Sequence, residues 1–377
     1  MPVVDVAIVG LGAMGSAAAW QLARRGLQVV GIDRYAPPHH FGSSHGHGRI
    51  IRHAYFEHPQ YVPMVLRADE LWEELERESG VRLLLRTGGA MLGPESGTLV
   101  SGALASARAH RLPHEVWSAG ELRARVPAVR PDDGMAALWE PRAGVLFPER
   151  GIQVMLDRAR ASGATLVYDT AITGWTATAH GVTVATTVRD YQARRLILAA
   201  GPWMPALLPR LGLPLTIERA VQFWFRPLDP ADHCGPERLP VFILQYAGER
   251  LLYGLPDTGH GVKIAKHHGG ARTSADGIRR LVDDRERAAM RVLARQWVPG
   301  AAGPVVDATV CLYTNTPDGH FVLDRHPRHP AVVLASACSG HGFKFAPAIG
   351  EILADLATDT PPALDLAPFR ATRFARA

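Results

Sequence analysis

The chain has 377 residues, 47% apolar and 20% charged, a composition that excludes a disordered or fibrous class. That length exceeds one ordinary core, so two domains are expected. Its 41 Lys and Arg against 36 Asp and Glu leave +5, without the dense basic run a nucleic-acid surface needs; the surplus suits an anionic cofactor and substrate instead.

The N-terminus Met-Pro-Val-Val-Asp lacks a cationic leader, and no stretch approaches the ~20 apolar residues that span a bilayer. With a C-terminal Phe-Ala-Arg-Ala that carries no peroxisomal address, cytoplasm is the expected location and no membrane partner is expected. Val3 to Val9 reads as a β-branched strand, Ser16 to Arg25 as a helix closed by Gly26, and Leu27 to Ile32 as a second buried strand ending at Asp33. Between the first strand and the helix lies Gly10-Leu-Gly12-Ala-Met-Gly15, and Asp33 follows Gly10 by 23 residues, the fingerprint of a dinucleotide fold. Gly10 makes the tight turn, Gly12 lets backbone N–H groups approach a pyrophosphate, and Gly15 allows close helix packing. Asp33 is placed to accept from an unphosphorylated adenosine ribose.

Tyr61 to Ser79 and Gly151 to Ser162 have helical spacing, and a strand is expected around Thr165 to Tyr168. A strand pair follows over Ile172 to Thr187, then a strand from Arg195 ending in Ala200-Gly201, of the kind that returns to a nucleotide-binding sheet. Val221 to Phe225 and Leu251 to Ile264 are β-rich, Ile278 to Gln296 reads as a charged surface helix, and Val332 to Ala335 as a strand. The Gly340-His-Gly342 turn then leads to a helix over Pro347 to Ala357. No internal repeat or linker separates these elements, so interwoven domains are expected.

Only three of the 41 cationic residues are Lys: Lys263, Lys266 and Lys344. Surviving lysines in an Arg-rich chain are candidates for chemistry Arg cannot do, because an ammonium shifts its pKa readily on burial. His39, His40, His45, His47 and His53 crowd beside Arg49 and Arg52, but with no close carboxylate or Cys the cluster points to a phosphate-facing loop rather than a metal. Cys234, Cys311 and Cys338 are too few and too far apart for a disulfide framework or a metal knuckle.

Several ordered motifs resemble the sarcosine oxidase and N-methyltryptophan oxidase branch of the FAD-dependent amine oxidases. They are Gly42-Ser43-Ser44-His45-Gly46, Arg49-Ile-Ile-Arg52-His53-Ala-Tyr55, Ala200-Gly201-Pro-Trp203, Tyr253-Gly-Leu-Pro256, Lys263-Ile-Ala-Lys266-His267, Cys311-Leu-Tyr-Thr-Asn-Thr-Pro317 and Ser339-Gly-His-Gly342-Phe-Lys344-Phe345. The resemblance spans nearly the whole chain. Ser44 stands where relatives commonly have His, His47-Gly48 replaces Asp-Thr, and the Tyr253 to Lys263 spacing is nearer the N-methyltryptophan oxidase type, which leaves room for a larger pocket.

The resemblance implies an α/β fold: a Rossmann-like FAD-binding domain from residues 1–88, 148–218 and 321–377, interwoven with a mostly antiparallel substrate domain from 89–147 and 219–320. It implies FAD joined to Cys311 by an 8α thioether, a substrate carboxylate clamped by Arg52 and Lys344, and Tyr253 and His267 beside the substrate amine. Lys263 would promote reaction with O2, and Arg49 would lie near the flavin ring. Ser43, His45, Gly201, Gly342 and Lys344 join Gly10, Gly12, Gly15 and Asp33 as expected cofactor contacts, while Lys266, Cys234 and Cys338 receive no role. The expected activity is oxidation of a secondary α-amino acid by a monomer, with release of H2O2. Alternatives are a cyclic or dicarboxylic amine substrate, an NAD-dependent dehydrogenase on the glycine motif alone, or an idle flavoprotein subunit.

Overall fold

The computed structural model describes residues 3–228 and 233–374, so the last three residues of Phe-Ala-Arg-Ala and the first two of the chain lie outside it. The strand Val4–Val9 is central to an eight-stranded sheet, pairing in parallel with Val29–Ile32 on one side and Tyr191–Leu198 on the other. Thr165–Val167 extends the sheet beyond Val29–Ile32, and His329–Ser336 adds in parallel to Tyr191–Leu198. Antiparallel pieces, Ile172–Thr178 with Gly181–Thr186 and Val322–His326, complete it. One sheet is thus assembled from segments hundreds of residues apart, as the interwoven reading requires.

The glycine turn forms for steric reasons. Gly10 sits at φ +89°, and a Cβ there would fall 2.6 Å from the carbonyl oxygen of Ala199. A Cβ on Gly15 would overlap the carbonyl oxygen of Gly10, so the helix Ala13–Arg24 starts against the turn only because both residues lack side chains. That helix begins three residues before the expected Ser16, since the turn itself supplies its first residues. Behind the sheet it packs with Pro148–Ala161 and Ala346–Ala357 into a core that also takes the apolar stripe of Tyr61–Ser79. Tyr61–Ser79 ends as the sequence predicts, at Gly80 with φ 69°, whose N–H returns to Glu76.

The second sheet has nine strands and is antiparallel except where Val241–Tyr246 runs parallel to Gly89–Pro94. Toward one edge Thr216–Phe225 pairs with both Val305–Asn315 and Val262–His267, and Arg250–Leu255 continues the sheet from the latter. The helix expected over Ile278 to Gln296 is shorter. It spans Asp284–Trp297 because Asp283 accepts from the Glu286 N–H while Glu286 accepts from the Asp283 N–H, and this reciprocal cap stops the helix from extending backward. The adjacent arginines Arg24-Arg25, Arg194-Arg195 and Arg279-Arg280 lie at the surface, with ion pairs from Arg24 to Glu74, Arg25 to Asp355, Arg195 to Asp359 and Arg279 to Asp283.

Candidate active site

Between the two sheets lies a cavity of about 410 Å³, running from the glycine turn and Asp33 at one end to Arg52, Tyr253, His267 and Lys344 at the other. At the first end the helix Ala13–Arg24 has no side-chain cap at Gly12 and no acid in its first turn, so its leading N–H groups are free for an anion. Asp33 is buried, with one carboxylate oxygen accepting from the Leu11 N–H at 2.6 Å and the other from Tyr35 at 2.8 Å, which pins the turn to the end of the second strand. Gly201 and Gly342 line the same cavity, and Ser43 contributes a buried hydroxyl with no partner among the described residues. A cavity with free helix N–H groups, an acid past the second strand and an orphaned hydroxyl fits a dinucleotide.

The second sheet builds the other wall by a period of two. Tyr253 is paired directly with Ala265, so it shares a face with Lys263 and His267; Ile243 opposes Tyr253, and Cys311 opposes Ala220 on the strand that also carries Tyr313. Lys266 points to the opposite face and is exposed, in keeping with its lack of an assigned role.

Arg49 and Arg52 flank an extended strand, Arg49–Ile51, and their guanidinium groups go to different places. Arg49 donates to the carbonyl oxygens of Ser43 at 3.0 Å and Gly48 at 2.9 Å, and lies 3.7 Å from Cys311 Sγ. Lys263 is buried beside it, donating to the Gly46 and Gly48 carbonyls at 2.9 Å each. Burial, and then Arg49, push the Lys263 ammonium well below its ordinary pKa. His45 is buried in the same group and is lowered to about 3, chiefly by desolvation. Lys263, His45 and Cys311 do not line the cavity; they stand next to Ser43 and Arg49, which do.

At the far end, Arg52 Nη2 donates to both carboxylate oxygens of Glu57, at 2.6 and 2.7 Å, with its guanidinium 4.1 Å from the Tyr55 ring centre. Lys344 is 5% exposed, and its carbonyl is held by the Trp72 indole at 2.9 Å. Its ammonium donates to the His341 carbonyl at 2.6 Å and faces the Tyr55 hydroxyl at 3.4 Å, and burial together with Arg52 lowers it to about 7. His267 is held well below its usual range, first by burial and then by His268, so it is neutral; its Nδ1 lies 3.4 Å from the Tyr313 hydroxyl. Burial raises Tyr253 to about 12 and Tyr313 well above the phenol range, so both keep their protons.

Sequence reasoning gave no role to Glu57 and Tyr313. Tyr313 stands inside the Cys311 motif, whereas nothing local to Glu57 marks it as the partner of Arg52. Among the described residues no three His, Cys, Asp or Glu side chains are placed to hold a metal ion.

Taken together, the nucleotide end and the buried cations facing neutral His and Tyr define a nucleotide-dependent oxidoreductase. A family model described as FAD dependent oxidoreductase matches residues 5–356. The chain is 41% identical to a monomeric sarcosine oxidase of Streptomyces avermitilis, covering 100% of this chain and 99% of that one. It is 36% identical to an N-methyl-L-tryptophan oxidase of Salmonella arizonae, with 99% of each covered. Among solved structures it is similar to NikD, described as an unusual amino acid oxidase, with a TM-score of 0.86, 24% identity and 98% of each chain covered. The protein belongs to the FAD dependent oxidoreductase family, and FAD, not NAD, is its cofactor.

Proposed function

We propose that the protein oxidises the C–N bond of an N-methyl or other secondary α-amino acid, reducing O2 to H2O2. The observation that carries this reading is Lys344, a buried ammonium at the cavity end with no ion-pair partner among the described residues. A buried charge without a counterion calls for an anion, and the adjoining Arg52 fork suits a carboxylate. The relatives named for sarcosine and N-methyl-L-tryptophan support the same class.

FAD, which the Gly10 and Gly12 turn, Asp33, Gly201 and Gly342 would hold, would supply the acceptor for a hydride equivalent from carbon and the donor of electrons to O2. The chain's residues do the rest. Arg52 exchanges Glu57 for the substrate carboxylate, whose other oxygen meets Lys344. Neutral His267 and the protonated Tyr253 and Tyr313 orient the amine, which loses its proton to solvent as it enters a dry site already holding Arg52 and Lys344 and so presents a lone pair. The imine then meets water and yields the primary amino acid and, from an N-methyl group, formaldehyde. Arg49 and Lys263 supply fixed positive charge for the O2 half-reaction.

The cofactor would be held by residues 1–88, 148–218 and 321–377 and the substrate by 89–147 and 219–320. The eight-stranded sheet falls in the first part and most of the nine-stranded sheet in the second, which supports this division, while a three-stranded sheet pairs Gly144–Leu146 of the second with Arg49–Ile51 and Leu84–Arg86 of the first. The relatives named monomeric sarcosine oxidase support a monomer acting on a small molecule, and the proposed location is the cytoplasm. Cys311 is the reading's attachment point for flavin, supported by its place beside Ser43 and Arg49. Cys311→Ser is expected to release its yellow colour into the supernatant on acid precipitation, where the parent keeps it in the pellet; colour in the pellet of both would end the assignment.

The activity is tested by H2O2 release from purified protein given sarcosine, N-methyl-L-tryptophan, L-pipecolate and iminodiacetate at matched concentration. A signal from an N-methyl amino acid is expected. Silence from all four in a yellow protein would overturn the substrate class.

A further inference from the structure

Two buried side chains that the proposed chemistry leaves without a part, Tyr55 and His341, form with the half-buried Gly319 carbonyl a directed chain ending at Lys344. The His341 Nε2 lies 3.1 Å from the carbonyl oxygen of Gly319, which can only accept, so Nε2 carries the ring proton. In a neutral imidazole Nδ1 is then an acceptor, and it sits 2.6 Å from the Tyr55 hydroxyl, which must donate to it. The hydroxyl proton being committed, the Tyr55 oxygen turns only lone pairs toward Lys344 Nζ, at 3.4 Å. The His341 carbonyl adds a second acceptor at 2.6 Å, and the Tyr55 and Phe345 rings lie 5.3 Å from the same ammonium.

Resting on the reading of Lys344 as a carboxylate anchor, we propose that Tyr55 and His341 are positioning residues that keep Lys344 an ammonium, with the Gly319 carbonyl setting the direction of the whole chain. Every dipole in it presents its negative end to Nζ. A second proton, on His341, would reverse the chain: Nδ1–H would donate to Tyr55, whose hydroxyl would then point its hydrogen at the ammonium. His341 and Lys344 are therefore not protonated together.

The surroundings agree. Lys344 faces Arg52, which opposes its charge, and Glu57 and Glu140, which support it. Tyr55 faces Glu57, Arg52 and Tyr61. His341 faces Lys344, Arg52 and His268, all cations or potential cations, and burial followed by Lys344 holds its imidazole well below the usual range. With Lys344 lowered to about 7, the loss of one acceptor is felt inside the physiological range.

The test is the affinity of the FAD-loaded protein for methoxyacetate, which keeps the carboxylate and replaces the oxidisable nitrogen by oxygen, read from the visible flavin band between pH 5.5 and 9. The parent should bind evenly below a midpoint near 7 and lose about tenfold per pH unit above it, as the ammonium fraction falls. Tyr55→Phe, which keeps the ring, should leave the low-pH affinity in place and move the midpoint down by about one unit, read as about tenfold weaker binding at pH 8. His341→Leu should do the same, and His341→Asn, which restores an acceptor for Tyr55, should recover much of the shift. An unmoved midpoint in Tyr55→Phe, or a loss equal at every pH, would overturn the inference while leaving the anchor intact. Parent-like binding by Lys344→Met would overturn the anchor itself.

Discussion

Replacing Lys263 by Met is expected to slow the half-reaction with O2 by on the order of 10²–10³, the range found when one preorganised donor is removed from a developing negative charge. Anaerobic bleaching by substrate should be nearly unchanged. The asymmetry follows from position. Lys263 is buried against Gly46 and Gly48 and does not line the cavity, so it meets no part of the amino acid. Burial beside Arg49 makes its ammonium costly, and the two carbonyls only partly offset that cost. An electron arriving on O2 supplies the missing negative charge where water cannot screen it. Met keeps the volume and removes the charge, so packing is not the variable. Stopped-flow absorbance of the two half-reactions decides the matter; equal slowing of both, or of neither, would remove Lys263 from the oxygen chemistry.

Lys344→Met should lower kcat/KM by on the order of 10²–10³, from about 2–5 kcal/mol for truncating one side of a buried charge pair. The change should fall chiefly on KM, since the carboxylate is held in the ground state and the transition state alike. Discrimination offers the sharper readout. The parent should prefer sarcosine strongly over dimethylamine, which lacks the carboxylate, and the variant should lose most of that preference by becoming poor on sarcosine. A variant that still discriminates as the parent does would move carboxylate recognition elsewhere.

How much of this was readable in the sequence depended on how local the cause was. The strand, Gly10 turn and helix were legible because the steric demand of the turn is written in adjacent residues. Tyr61–Ser79 was legible to its last residue, because an apolar stripe and a left-handed Gly80 are both local signals. Val241–Tyr246 was not read as a strand: all six residues are buried, so no alternation marks it, and the parallel partner Gly89–Pro94 lies about 150 residues away. The helix over 278–296 was overdrawn at its start because the charged pattern runs on past the cap that ends it.

The site divides in the same way. Lys263 and His267 share a strand face by simple spacing, and Arg49–Ile51 is extended. The Arg52 pairing with Glu57 and the chain from Gly319 through His341 and Tyr55 arise from tertiary placement that no local pattern encodes. Lys344 was visible as a rare residue type, but its lack of an ion-pair partner among the described residues is a property of the fold.

The strand His329–Ser336 lies beside Tyr191–Leu198 in the nucleotide-binding sheet, and Lys344 follows it only a few residues later. During synthesis, the glycine turn is therefore made early and its neighbours must wait. The first 300 residues can leave the ribosome with a phosphate-binding turn but without one flank of its sheet or the floor of the substrate end. Cofactor capture is thus a late event in the life of the chain, and a truncation in the final sixth should forfeit flavin as surely as one at the glycines.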